Sequence, residues 1–172
     1  MASMQLDHHG HMQQALNLAR QALAQGEFPV GCVLVSQGAG VATGKRCGTR
    51  NPVPSELDHA EIMALRQWEN TGKPDHGGPL TLYSTLEPCM MCYGALLISG
   101  IQTIVYAYED AMGGGCACKL DHLPPLYRNR HVRLVSGICR AESLALFKSF
   151  FDDPNRNYWR GSKLARYTLS QK

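Results

Sequence analysis

Two short segments hold the residue types that do chemistry: His59-Ala60-Glu61 and Pro88-Cys89-Met90-Met91-Cys92. Cys89 and Cys92 stand three apart where a helix is expected to begin, so their sulfurs share one face of its first turn. The partial positive charge of a helix N-terminus favours thiolates, and Pro88 suits the position at or just before that turn. With His59 the set becomes two thiolates and one imidazole. These are soft or borderline ligands that select zinc over magnesium. Three ligands leave the fourth tetrahedral position open, which is the arrangement of a catalytic zinc that binds and acidifies a water. Glu61 supplies the acid/base group that such a site needs to carry a proton to a substrate nitrogen. Residues two apart in a regular helix point away from each other, so Glu61 and His59 converge only if the helix begins right there.

Other readings of the same residues stand beside this one. Asp58 and Glu61 have the spacing of a capping box, with Asp58 as N-cap; Asp58 is expected either to cap the helix or to make a polar contact to substrate. Cys89-x-x-Cys92 also has the spacing of a redox pair. Cys116 and Cys118 offer a second half for a closed four-cysteine zinc, but that leaves His59 and Glu61 unexplained. Cys116 and Cys118 follow Gly113-Gly114-Gly115, a run that tolerates close backbone approach, and are expected near an interface or the substrate rather than on the metal. Cys32 reads as a buried small hydrophobe; Cys47 and Cys139 have no assigned role. His8, His9, His11, His76, His122 and His131 are expected at the surface.

The elements that must position these groups alternate between strand and helix. Apolar residues at spacings of three and four predict a helix over 8–25. Strands are expected over 30–36 and 41–46, then a helix over 58–70. A strand over 80–85 leads into an apolar helix over 90–99, and a strand over 101–107 into a Gly- and Pro-rich loop over 110–126. A strand over 131–135 and a helix over 140–151 follow, the helix with Leu144, Phe147 and Phe151 facing the core. A short helix is expected within 159–171. Strands alternating with helices imply an α/β layered sandwich with a mixed or parallel sheet.

The chain has 172 residues, 44% of them apolar and 18% charged, which suits one globular domain and excludes a disordered chain. Seven cysteines without a secretory signal argue against a disulfide framework. No apolar run approaches the roughly 20 residues that span a bilayer, so a cytoplasmic protein with no membrane partner is expected. Arg156, Arg160, Lys163, Arg166 and Lys172 against Asp152 and Asp153 account for the whole net charge of +3. The body over 1–151 is therefore neutral, and 152–172 reads as a basic extension, a short helix packed on the domain. Its charge suits either a solvated face or a polyanion contact.

H-x-E followed by P-C-x-x-C is the signature of zinc deaminases. With its flanks at 27–35, 59–67, 81–95 and 130–151, the chain resembles the zinc-dependent cytidine/deoxycytidylate deaminase-like superfamily. Within it, the chain is most similar to the bacterial tRNA adenosine deaminases, over roughly residues 8–151. The resemblance implies a three-layer α/β/α sandwich with a central mixed sheet, and a homodimer. It makes His59, Cys89 and Cys92 the zinc ligands and Glu61 the proton shuttle. The backbone about Ala60 and Pro88 would contact the base, and Phe28, Asn51 and Asp58 are further candidate contacts. The implied activity is hydrolytic deamination of a nucleobase, first of all adenosine to inosine in tRNA. The chain departs from that pattern where a base-binding asparagine is usual, because Gly48 stands there and Asn51 is three positions away. That departure keeps open a free base, nucleoside or nucleotide as substrate, guanine or cytosine included. A non-catalytic binding subunit is the reading of another class, and the intact His59/Glu61/Cys89/Cys92 set argues against it.

Overall fold

Gly31–Ser36 is a run of apolar and small residues with no exposed face, because both sides of the strand it forms are covered by helices. A computed structural model describes residues 7–72 and 78–172; His76 lies outside the described residues. The elements run α1 (His8–Ala24), β1 (Gly31–Ser36), β2 (Ala39–Lys45), α2 (Ala60–Asn70), β3 (Leu80–Leu86), α3 (Met90–Ile98) and β4 (Thr103–Tyr108). A 3-10 turn (Leu120–His122), α4 (Pro125–Arg128), β5 (Arg133–Ser136), α5 (Arg140–Phe151) and α6 (Lys163–Ser170) complete the chain. The five strands form one mixed sheet in the order β2-β1-β3-β4-β5. β1 is antiparallel to both β2 and β3, while β3, β4 and β5 are parallel.

Alternation along the strands builds two cores. Val33, Val35, Tyr83, Val105 and Ala107 pack against Met12, Ala15 and Leu16 of α1, with Leu146 of α5 beside them. Cys32, Leu34, Leu82 and Ile104 point the other way, onto Ala64 and Leu65 of α2 and Leu96 and Leu97 of α3. This is the expected three-layer α/β/α sandwich. Gly44 sets how α2 lies on it: a Cβ there would come within 2.0 Å of the Ala60 carbonyl oxygen. Only glycine lets the first turn of α2 rest on β2.

The extension after α5 is part of the packed body. Leu164, Ala165 and Thr168 of α6 are buried, and the Thr168 and Tyr108 hydroxyls lie 3.1 Å apart. Arg140 bonds the Glu109 carboxylate in a two-point pair, and the Tyr167 hydroxyl donates to the same carboxylate at 2.7 Å.

Several local expectations are corrected. The loop over 110–126 contains the 3-10 turn and the start of α4. On α5 the fully buried rings are Phe147, as expected, and Phe150, with Phe151 half-buried, because Phe28 and the extension wrap that face of the helix. His11 is buried against Tyr83, and His8 is half-buried with Nδ1 3.0 Å from the Tyr83 hydroxyl, so neither is a surface histidine. His9, His122 and His131 are exposed as expected.

Candidate active site

α2 begins at Ala60, with His59 as its N-cap residue in extended conformation, φ −69° and ψ 150°. That break in helical geometry is what turns the His59 and Glu61 side chains toward one place. α3 begins in the same way, with Cys89 as the N-cap at φ −68° and ψ 170° and Cys92 buried in its first turn. The two helix starts meet, and His59 Nδ1 lies 3.5 Å from Cys89 Sγ and 3.5 Å from Cys92 Sγ. One imidazole nitrogen and two sulfurs within 4.8 Å of one another could hold a metal ion, and a donor set of this softness suits zinc. Hydrogen bonding from Cys92, outweighing burial and joined by His59, holds Cys89 down at about 4. A thiolate is therefore ready beside the ring. Burial pulls the His59 imidazole down, but the Cys89 hydrogen bond and the Glu61 charge outweigh it and leave it raised.

Glu61 is buried behind this group. Its Oε1 accepts from the Ser84 hydroxyl at 3.2 Å, and its Oε2 accepts from the Cys92 thiol at 3.6 Å. Ser84 Oγ in turn accepts from Cys32 at 3.3 Å. Burial raises the Glu61 carboxyl above the usual carboxylate range, against the opposing pull of its own backbone N–H and of His59. A carboxyl buried against the Cys92 thiol and beside His59 is placed to take and return a proton.

The pocket in front of His59 and Glu61 is walled by Phe28, Ala60, Arg46, Glu87, Tyr158 and Trp159. Phe28 and Ala60 therefore line the pocket beside Glu61. Pro88 is buried beside it, its carbonyl taken by the Gly115 N–H at 2.9 Å. Asn51 is exposed and lines a separate outer groove instead. Asp58 neither caps α2 nor reaches the pocket, because its carboxylate is bonded to Ser55 Oγ at 2.6 Å and Arg66 at 3.3 Å. With His59 at the cap, the capping-box reading of Asp58 and Glu61 falls. Cys116 is buried and Cys118 half-buried, and neither joins the His59/Cys89/Cys92 group. Their loop is pressed on the site: Gly114 bridges Cys89, and Cys116 N–H donates to Glu87 Oε1 at 3.2 Å.

Sequence reasoning missed Ser84, Arg46, Glu87, Tyr158 and Trp159. Glu87 stands two residues before Cys89, so a signal was there to read. The others reach the site from distant positions and carried none. A second His/Cys/Glu group, His9, Cys139 and Glu142, lies on the surface among the described residues. There the Gln13 amide already donates to the thiol at 3.6 Å and to the carboxylate at 3.3 Å.

Residues 5–108 match the profile of the cytidine and deoxycytidylate deaminase zinc-binding region. A tRNA-specific adenosine deaminase of Bacillus subtilis (strain 168) is 31% identical over 94% of this chain and 96% of its own length. A tRNA-specific adenosine deaminase 2 of Xenopus tropicalis is 32% identical over 85% of this chain and 89% of its own. A solved structure from a study of A-to-I editing by tRNA:A34 deaminases at the wobble position of transfer RNA is 32% identical. It superposes with a TM-score of 0.62 over 74% of this chain and 97% of that one. A guanine deaminase from Nitrosomonas europaea, 22% identical with a TM-score of 0.65, covers 87% of this chain and 85% of its own and shares the fold.

Proposed function

The chain belongs to the cytidine and deoxycytidylate deaminase zinc-binding family, and from that premise we propose that it deaminates adenosine to inosine in tRNA. That it is a zinc-dependent hydrolytic deaminase follows from the family and from relatives matched along nearly their whole length. The tRNA assignment is supported by what those relatives are, 31% identical over 96% of their length in the Bacillus subtilis case.

In this reading His59 Nδ1 and the sulfurs of Cys89 and Cys92 hold the metal. Zinc bound there supplies Lewis acidity that lowers the pKa of a water toward neutrality. Glu61 would take one proton from the attacking water and deliver it to the ring nitrogen beside the amine, then carry the water's remaining proton to the amine, so that a C–O bond forms, the C–N bond breaks and ammonia leaves. Ser84 fixes the carboxylate through Oε1. Phe28 and the Ala60 backbone bound the base, and the walls around them exclude bulk water. Residues 1–151 form the deaminase domain and 152–172 an extension packed on it, supported by the burial of Leu164, Ala165 and Thr168. Action in the cytoplasm belongs to the same reading; among the described residues no helix is long and apolar enough to cross a membrane. Met90, Ile98, Met112 and Leu126 are exposed apolar side chains on and beside α3; they support a homodimer through that face, to be read by sedimentation.

A second reading, deamination of a free base, nucleoside or nucleotide, is favoured by one observation. Gly48 stands where the tRNA enzymes place a base-binding asparagine, and Asn51 is exposed outside the pocket. Ammonia release from tRNA, adenine, guanine, cytosine and their nucleosides decides between the two. Turnover of tRNA well above every small substrate is expected, and turnover of a free base alone would replace the first reading with the second.

A further inference from the structure

Arg46 is the least ordinary residue of the pocket. It follows β2 directly, and its side chain is 2% exposed, yet it lines the cavity with His59 and Glu61. A buried guanidinium is costly unless it is hydrogen-bonded. One Nη1 hydrogen goes to the Cys47 carbonyl at 2.9 Å, and the two Nη2 hydrogens go to the Ser55 carbonyl and, at 3.2 Å, to the Tyr158 hydroxyl. Those bonds use three of the five N–H groups of a guanidinium. Among the described residues two are left without a partner, one on Nη1 and one on Nε, on a group that borders the pocket and has nothing to accept with.

The partner at 3.2 Å comes from the other end of the chain. The Tyr158 hydroxyl donates to Glu56 Oε2 at 2.9 Å, and that carboxylate is also 3.8 Å from Arg46 Nη2. The Tyr158 and Trp159 rings stack with centroids 5.0 Å apart and an interplanar angle of 14°, and both meet Phe28 edge-on. Trp159 holds φ +53°, a left-handed backbone uncommon for a bulky residue. The pair is thus placed as one wall of the pocket and, on its other side, of the outer groove that holds Arg50 and Arg156. The pocket is partly open and holds about 30 Å³, room for a water within it, so a base must sit across its mouth. Any base seated against Glu61 therefore meets the Tyr158–Trp159 wall.

We propose that Arg46 is a specificity-determining residue of this deaminase, donating to an acceptor atom on the substrate base, with Tyr158 positioning its guanidinium and Trp159 supplying a face against which the base packs. This rests on the deaminase reading and adds what the pocket recognises. In place of an asparagine amide, which can both donate and accept, this chain presents a donor-only group. The edge it reads must carry a ring nitrogen or a carbonyl oxygen and no N–H. On adenine the acceptors away from the reacting amine and N1 are N3 and N7.

The test is a chemical double-mutant cycle read by binding, so that it does not depend on turnover. The probes are anticodon stem-loop RNAs carrying adenosine, 3-deazaadenosine or 7-deazaadenosine at the wobble position, titrated into zinc-loaded protein. Wild type is expected to bind one deaza probe about tenfold more weakly than the adenosine probe. Arg46→Met is expected to bind that pair equally. Tyr158→Phe should reduce the discrimination while leaving zinc content unchanged, and Trp159→Ala should weaken all three probes alike. Arg46→Lys, which keeps the charge but not the fork, covers the case in which Arg46→Met does not fold and is expected to discriminate less than wild type. Equal discrimination in wild type and the Arg46 variants overturns the inference, as does a wild type blind to both deaza changes. If wild type binds no wobble adenosine probe, the tRNA reading fails first. The same cycle on guanosine and 7-deazaguanosine then decides the role of Arg46 by the same two outcomes.

Discussion

Ser84 lies fully buried on β3, and its hydroxyl is the donor that reaches Glu61 Oε1, at 3.2 Å. Ser84→Ala deletes that donor and changes little else, because the only other bond it breaks is a weak one from the Cys32 thiol at 3.3 Å. A hydrogen bond to an ionised group contributes about 1.5–3 kcal/mol. At 3.2 Å this one is long for O–H···O, so the lower figure applies, about 1.5 kcal/mol. That corresponds to roughly tenfold in kcat/KM. The pH dependence carries a sign as well. The bond stabilises the charged carboxylate, so its loss adds to the burial that already raises the Glu61 pKa. The acid limb of kcat/KM must then move to higher pH, with the deficit larger on the acid side of the profile than on the alkaline side. The assay is ammonia release against pH with zinc-loaded protein, with zinc content and Tm measured in parallel. An acid limb that stays in place, with kcat/KM within twofold of wild type throughout, would refute the assignment of Ser84 and weaken that of Glu61.

Other outcomes follow from the same geometry. Replacing both Cys116 and Cys118 with Ser is expected to leave zinc content and turnover unchanged, since neither sulfur joins the His59/Cys89/Cys92 group; loss of metal would revive a closed four-cysteine site. Gly44→Ala places a Cβ 2.0 Å from the Ala60 carbonyl and 2.6 Å from the Ala64 nitrogen. It should cost about 1–3 kcal/mol, seen as a Tm several degrees lower together with reduced turnover, because α2 carries the site at its first turn; an unchanged Tm contradicts the packing. Glu109 is pulled down to about 2, first of all by the Arg140 hydrogen bond. A depressed carboxylate stabilises the fold above its unfolded pKa and loses that contribution as pH falls toward 2. The pair is about a third exposed, so Glu109→Gln should cost no more than about 1 kcal/mol. The difference from wild type should be present at pH 7 and shrink between about pH 4.5 and 2; a difference that persists at pH 2 refutes it.

The convergence of His59, Glu61, Cys89 and Cys92 was legible because its logic is local. His59 and Glu61 can converge only if a helix starts between them, and α2 starts at Ala60; Cys89 and Cys92 occupy one turn and need no distant partner to define them. The continuous apolar run up to Ser36 and the three-and-four spacing of Met12, Ala15, Leu16 and Ala19 likewise pointed to the layers, since a strand without a polar face needs cover on both sides and helical periodicity is set by backbone geometry. What was not legible depends on which surfaces meet. Nothing near position 46 signals that its guanidinium is buried against a tyrosine from position 158. Asp58 has the type and position of a cap, yet Ser55 and Arg66 compete for its carboxylate and win. His11 looks like a polar helix residue, but its side of α1 faces Tyr83 across the sheet. Phe150 takes the deeper place expected of Phe151 because the extension packs on that face of α5.

The central claim is that a metal held by His59, Cys89 and Cys92 works with Glu61 as the proton carrier. Glu61→Ala tests it most directly, with zinc per chain and ammonia release measured on the same purified sample. The account predicts about one zinc per chain, because no ligand is touched, together with a loss of turnover of about 10²–10⁴-fold, the range for a missing general acid/base. Retained turnover at full zinc content would contradict it.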